Sequence, residues 1–106
     1  MQTALRQSDV FRALGDPTRR AVYERLIAQE QTVSALTARF DVSQPAISQH
    51  LKTLREAGLI EVRRKGREAH YSAGPDGLKP LFDWMAHYEK FWRSRGNKLR
   101  AVLEGL

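Results

Sequence analysis

The stretch SQPAISQHLKTLREAGLI, from Ser43 to Ile60, decides the fold of this chain. Ser43 is a good N-cap and Pro45 is tolerated in a first helical turn, so a helix is predicted to begin here. Apolar side chains then recur at helical spacing until Gly58 ends the run. The apolar positions are Ile47, Leu51 and Leu54. This spacing predicts one buried side of the helix and an opposite side that is free to contact a partner.

A shorter helix comes before this one, and the two form a predicted helix-turn-helix. Ser34 can cap the shorter helix, which ends where Asp41-Val42-Ser43 breaks the apolar pattern. Three residues then separate the two helices, which is the tight connection of a helix-turn-helix. Two further helices are predicted upstream: one from about Ser8 to Leu14, and a second that Asp16 caps and Pro17 opens.

Downstream of the helix pair, the apolar spacing changes from helical to alternating. Ile60 and Val62 alternate with charged residues, the chain turns near Gly66, and Ala69 and Tyr71 resume the alternation. A β-hairpin with a basic tip is therefore predicted. We call this hairpin the wing, and its cations are Arg63, Arg64, Lys65 and Arg67. The order of helix, turn, helix and basic hairpin predicts a winged helix-turn-helix, mainly α with a small β-hairpin.

A long amphipathic helix is predicted over about 76–105, after a corner at Gly74-Pro75-Asp76-Gly77. Its apolar face spans roughly half of the helix, whereas a helix docked on one small core needs a stripe only a little over about 100° wide. We therefore expect a dimer whose interface is formed by the first helix and this last helix. The expected interface residues are Val10, Phe11, Leu81, Met85, Tyr88, Trp92, Leu99 and Leu103. A kink or fraying at Gly96-Asn97 remains an alternative, because glycine costs a helix about 1 kcal/mol relative to alanine.

The composition limits the classes of function. The 106 residues fit a single domain, 1–106, and the absence of cysteine excludes disulfides, thiolate metal sites and thiol catalysis. Eighteen Lys and Arg against twelve Asp and Glu give a net charge of +6, which favours a polyanionic partner, nucleic acid before an anionic membrane. We found neither the roughly 18 apolar residues of a spanning helix nor a signal-peptide core, so we expect a cytoplasmic protein without a membrane partner.

The free side of the Ser43–Ile60 helix has the chemistry to bind duplex DNA. Glutamine amides can pair with adenine and serine hydroxyls can bond to a base or phosphate, which suits Gln44, Ser48 and Gln49 to base readout. Contacts to the DNA backbone are predicted for Ser43, His50, Lys52 and Arg55, and the wing cations can straddle phosphates or enter a minor groove. Two plainer interpretations stay open: a polar exposed helix, and a charged hairpin edge that prevents aggregation.

Three segments resemble the ArsR family of bacterial winged-helix transcriptional repressors. They are DPTRR at Asp16–Arg20, the Ser43–Ile60 run, and RRKGREAHY at Arg63–Tyr71. The resemblance implies a homodimer joined mainly through its first and last helices, which binds an inverted-repeat operator and represses its own or a neighbouring operon. It also implies that the base-reading residues are Gln44, Pro45, Ser48 and Gln49, in agreement with the face inferred above.

The sequence departs from the relatives in this family that sense metals. The helix before the DNA-reading helix of Ser43–Ile60 has the sequence TVSALTARF, which offers hydroxyls and aliphatic groups but no thiolate. On the last helix Asp83, His87 and Glu89 are candidate ligands, but the nearby lysines and arginines repel a cation. We therefore predict no metal site and no cofactor.

Two other classes of function remain open beside the repressor. The winged helix and its broad apolar helix would also suit a protein-interaction module without a specific DNA site. An aromatic run from Phe82 to Trp92 could line a pocket for a small apolar effector between subunits, although interface packing is the simpler account. An enzyme is not expected, because no phosphate-cradling loop and no nucleophile elbow appear.

Overall fold

The computed structural model describes residues 2–105, apart from the side chains of residues 2–5, 97, 99 and 103. Within this range seven helices and three strands follow one another. The helices are α1 (Gln2–Gly15), α2 (Pro17–Ala28), α3 (Val33–Arg39), α4 (Gln44–Glu56), α5 (Lys79–His87), α6 (Glu89–Ser94) and α7 (Gly96–Glu104). The strands are β1 (Gln31–Thr32), β2 (Ile60–Lys65) and β3 (Glu68–Ala73). No helix within this range has the length and apolar character needed to cross a membrane.

The strands form one antiparallel sheet in the order β1-β3-β2. The predicted hairpin of β2 and β3 is confirmed, with Lys65 opposite Glu68 across a two-residue turn. Gly66 has φ +63° in this turn, a conformation that glycine adopts without the steric cost of a side chain. Strand β1 was not predicted, because two residues are too few to show an alternating pattern; its Gln31 pairs with Tyr71 of β3.

The core lies between the first four helices and the sheet. Ile47, Leu51 and Leu54 of α4 are fully buried, as their spacing predicts. The core also receives α1, and here one expectation was wrong: Val10, predicted at the dimer interface, is 0% exposed within its own chain. Val10 belongs to the same buried cluster as Val22 of α2, so it has no surface left for a partner.

Side-chain caps fix where the helices begin. Asp16 caps α2, because its Oδ1 accepts a hydrogen bond from the Arg19 backbone N–H at 2.9 Å. This bond is the main reason that the pKa of Asp16 lies below its ordinary value. Ser43 caps α4 through the Ala46 N–H at 3.2 Å, as predicted. The predicted cap at Ser34 was wrong: Thr32, in extended conformation at the end of β1, caps α3 instead.

The single long helix predicted over 76–105 was also wrong, since three shorter helices fill this region. The backbone leaves helical geometry at Tyr88 (φ −106°, ψ 25°) and again at Arg95 (φ −110°, ψ 15°). The Tyr88 N–H bonds to the Met85 carbonyl only three residues back, so the helix tightens and ends there. The second break directly precedes Gly96, where a kink was one alternative. Because of these breaks, the seven-residue apolar rhythm does not form one straight stripe.

Candidate nucleic-acid interface

The outer side of α4 carries the predicted base-reading residues on the surface. All four are exposed: Gln44, Pro45, Ser48 and Gln49. The helix is held by its apolar inner side, and Pro45 lies in its first turn, where no N–H partner is lost. The outer side is therefore a rigid, polar surface of short or planar side chains, which is what base-edge contacts require.

The predicted backbone contacts divide into two groups. Lys52 and Arg55 are exposed and carry their charges next to the polar face, while Ser43 uses its hydroxyl as the α4 cap. His50 differs, because it is half-buried and its Nδ1 has no hydrogen-bond partner among the described residues. The charge of His50 also lowers the pKa of Asp16, after the larger effects of the Arg19 N–H, which lowers this pKa, and of burial, which raises it.

A cleft of about 390 Å³ separates α4 from the wing. Its lining residues are Ser48, Lys52, Arg55, Glu56 and Tyr71. Tyr71 was not predicted as a site residue, because the strand alternation assigned it to the apolar side. It does pack partly against the core, yet it also reaches the cleft. Two cations and two hydroxyls against one carboxylate give the cleft a composition suited to a phosphate group.

The wing carries its cations in two different environments. Arg64, Lys65 and Arg67 are exposed at the tip of the hairpin, as predicted. Arg63 instead donates from Nη2 to the Glu30 carboxylate at 3.2 Å. Glu30 also lies 3.5 Å from Nδ1 of His70, measured from its Oε1. No local sequence signal reveals this contact, since Glu30 lies just before β1 and Arg63 lies thirty-three residues later.

An apolar surface lies where α1 packs against α5. Phe11 is 46% exposed and its ring meets that of Trp84 edge-on, with 5.5 Å between centroids. Trp84 in turn contacts Tyr88 at 5.2 Å. Phe82, 66% exposed, was not among the predicted interface residues.

The other predicted interface residues have different degrees of exposure. Met85 and Tyr88 are exposed, whereas Leu81 and Trp92 are half-buried. The side chains of Leu99 and Leu103 lie outside the described residues. Large apolar patches of this kind on a water-facing surface mark interaction sites.

The candidate metal ligands on the last helices are engaged elsewhere. Asp83 accepts a hydrogen bond from Nζ of Lys79 at 3.0 Å, and Glu89 pairs with Arg93. His87 stacks edge-on against Tyr88. Among the residues that the structure describes, no group of three His, Cys, Asp or Glu side chains is placed to hold a metal ion.

Comparison with known proteins places this arrangement in a family. Residues 14–63 match the helix-turn-helix domain model, a range that runs from the end of α1 into β2. The transcriptional repressor SdpR of Bacillus subtilis is 35% identical over 81 residues, which cover 76% of this chain and 90% of that protein. The arsenical resistance operon repressor of Escherichia coli is 34% identical over 99 residues, 92% of this chain and 81% of that repressor.

Solved structures agree with the sequence relatives. An ArsR-like transcriptional regulator from Rhodococcus sp. RHA1 superposes with a TM-score of 0.78 at 30% identity, and the match covers 96% of each chain. The arrangement of helices and hairpin described above is therefore a known architecture. This chain belongs to the ArsR family of winged helix-turn-helix transcriptional regulators.

Proposed function

We propose that this protein is a repressor that binds an inverted-repeat operator as a homodimer and controls its own or a neighbouring operon. The observation that carries the proposal is the two-sided character of α4. Its apolar side is fully buried at Ile47, Leu51 and Leu54, while the amides of Gln44 and Gln49 remain on the surface. A helix fixed so firmly from behind can present its side chains to base edges with little loss of conformational entropy. A cytoplasmic location is part of the same proposal.

The DNA-contacting residues divide by role. Gln44, Pro45, Ser48 and Gln49 read bases in a major groove. Backbone contacts come from Ser43, His50, Lys52 and Arg55, and from the wing at Arg63, Arg64, Lys65 and Arg67. The cleft beside Tyr71 is lined by Ser48, Lys52 and Arg55, so a phosphate of one DNA strand would occupy it. The resulting interface combines neutral base readout with cationic contacts on either side.

The homodimer is proposed from the apolar surface of α1 and α5. Phe11, Phe82 and Met85 are about half exposed or more, which is unfavourable on a free surface in water. A two-fold axis through this surface would bring the same residues together from both subunits, as isologous interfaces require. It would also present two α4 helices to one side of a DNA duplex.

The decisive experiment for DNA binding is selection of bound sequences from a random duplex library, followed by footprinting on the recovered site. We expect two inverted half-sites whose centres lie about one helical turn apart, or a multiple of one turn. Binding should weaken steeply as salt rises, because phosphate contacts release counterions. Enrichment of no sequence, with no protected site, would overturn the proposal and favour a protein-interaction module.

The dimer has its own test in sedimentation velocity of single variants. Met85→Glu places a charge in the apolar surface and should convert the dimer to a monomer. Ile27→Glu is the matched control, because Ile27 is a similarly exposed apolar residue on α2, a helix that is not part of the proposed interface. Loss of the dimer in both variants, or in neither, would contradict the assignment of the interface.

A further inference from the structure

Arg19 of α2 reaches back across the helix junction and caps the end of α1. Its Nε donates to the Ala13 carbonyl at 2.7 Å, and its Nη2 donates to the Arg12 carbonyl at 3.0 Å. Both carbonyls belong to the last turn of α1, where a helix has no N–H groups of its own left to pair with them. The guanidinium also brings positive charge to the negative end of the α1 dipole.

Two further hydrogen bonds stabilise the same junction between α1 and α2. Nη1 of Arg20 donates to the Leu14 carbonyl at 2.9 Å. In the opposite sense, Asp16 caps α2 through the Arg19 backbone N–H. A single residue, Asp16, connects the two helices, so these bonds leave little freedom in the angle between them. The end of one helix and the start of the next are thereby fixed to each other.

The α1–α2 angle relates the apolar surface to the DNA-facing helix. Phe11 of α1 contacts Trp84 of α5, so α1 carries one side of that surface. Val22 of α2 is buried in the same cluster as Ile47 of α4, so these two helices share one core. In a two-fold dimer, a small rotation at this junction would change the separation of the two α4 helices.

We propose that Arg19, assisted by Arg20, is a positioning residue that determines which half-site spacing the protein accepts. This inference rests on the proposed function, because it concerns two α4 helices on one operator. The centres of the two half-sites lie about one helical turn of DNA, roughly 34 Å, or a multiple of it apart. A change in the distance between the two α4 helices therefore changes the half-site spacing that the dimer can bind. Arginine suits the role because its planar group donates from two nitrogens in fixed geometry, whereas lysine offers one ammonium.

The test compares binding to the selected operator and to versions with one or two base pairs added or removed between half-sites. Arg19→Ala should lose about fivefold to tenfold in affinity at the natural spacing and little at the others, so its spacing profile flattens. Arg19→Lys keeps the charge but cannot donate from two nitrogens in fixed geometry, so the dependence of its affinity on half-site spacing should flatten partly. Arg12→Ala is the control: it removes the same charge at the same junction but keeps the carbonyl that accepts from Arg19. Parallel losses of Arg19→Ala and Arg12→Ala at every spacing would overturn the inference.

A second measurement tests the junction without DNA. The chain has no cysteine, so Ser8→Cys on α1 and Ser48→Cys on α4 give two clean spin-label sites on exposed residues. With labelled protein diluted into unlabelled protein, the distance distribution within one subunit should broaden or shift in Arg19→Ala and Arg19→Lys. An unchanged distribution would overturn the positioning role even if operator binding is specific. If instead no operator is found, the proposed function fails, while the distances still report on Arg19.

Discussion

Arg63 and Glu30 form an ion pair at the base of the wing, with Nη2 of the arginine 3.2 Å from one carboxylate oxygen and 3.3 Å from the other. The Arg63 side chain is 64% exposed and that of Glu30 is 32% exposed, so solvent screens the pair. Exposed pairs of this kind add at most about 1 kcal/mol to stability. The larger consequence concerns DNA, because Glu30 competes with phosphate for the same guanidinium.

Glu30→Gln should therefore strengthen DNA binding. With the carboxylate gone, Arg63 becomes available to a phosphate, so the slope of log affinity against log salt should steepen by up to about 0.9. Operator and random duplex should both gain affinity, since phosphate contacts carry no sequence information. The measurement is a salt titration of binding to both duplexes.

Glu61→Gln is the control for this change, because it removes the same charge from an exposed residue of the same strand as Arg63. Its salt slope should stay close to that of the unaltered protein. If both variants steepen the salt slope equally, the change in net charge alone explains the effect. The claim that Glu30 competes with phosphate for Arg63 would then be rejected.

Gln49→Ala should weaken operator binding by about 1 to 3 kcal/mol, because the amide would lose a pair of hydrogen bonds to a base edge. Binding to random duplex should hardly change, since those contacts are to phosphates. Fluorescence titrations with the two duplexes give the comparison. Gln29→Ala, the same change at an exposed position after α2, should alter neither affinity. Equal losses of Gln49→Ala on both duplexes would reject base readout by this side chain.

Thr32→Ala should lower the free energy of unfolding by about 0.5 to 2 kcal/mol, because the Ala35 N–H loses the hydroxyl that caps α3 at 3.2 Å. Ser34→Ala, two residues later, is the control; Ser34 is exposed, and its substitution should change the free energy of unfolding by no more than about 0.5 kcal/mol. Urea unfolding followed by circular dichroism measures both. The reverse order of effects would restore Ser34 as the cap.

Gly77→Ala should destabilise the protein by about 1 to 3 kcal/mol through overpacking. A Cβ at this position would lie 3.0 Å from Cα of Leu59 and 3.1 Å from its carbonyl oxygen, and these backbone atoms cannot rotate aside. Gly74→Ala, three residues earlier, meets its nearest atoms at 3.6 Å and should be tolerated far better. Thermal unfolding of the two variants checks the contrast, and equal stability would show that the corner yields to the added methyl group.

Local patterns predicted the parts of this protein that local physics governs. The spacing of Ile47, Leu51 and Leu54 predicted which side of α4 is buried, because apolar groups three and four residues apart share one helix face. Ser43 and Asp16 predicted helix starts, since a cap bonds to an N–H only three residues away. The glycine in the hairpin likewise marked the turn that now has φ +63°.

Three-dimensional contacts decided what those patterns could not. The pairing of Glu30 with Arg63, the cap that Arg19 places on α1, and the pairing of β1 with β3 join segments with no periodic relation in the chain. Val10 shows the same limit, because an apolar residue on a helix face can be buried by its own chain or by a partner. The sequence alone thus determined a winged helix-turn-helix whose α4 has one apolar, buried side and one polar, exposed side. The tertiary structure decided which charges stay free and which apolar side chains remain uncovered, since both depend on what lies opposite in space.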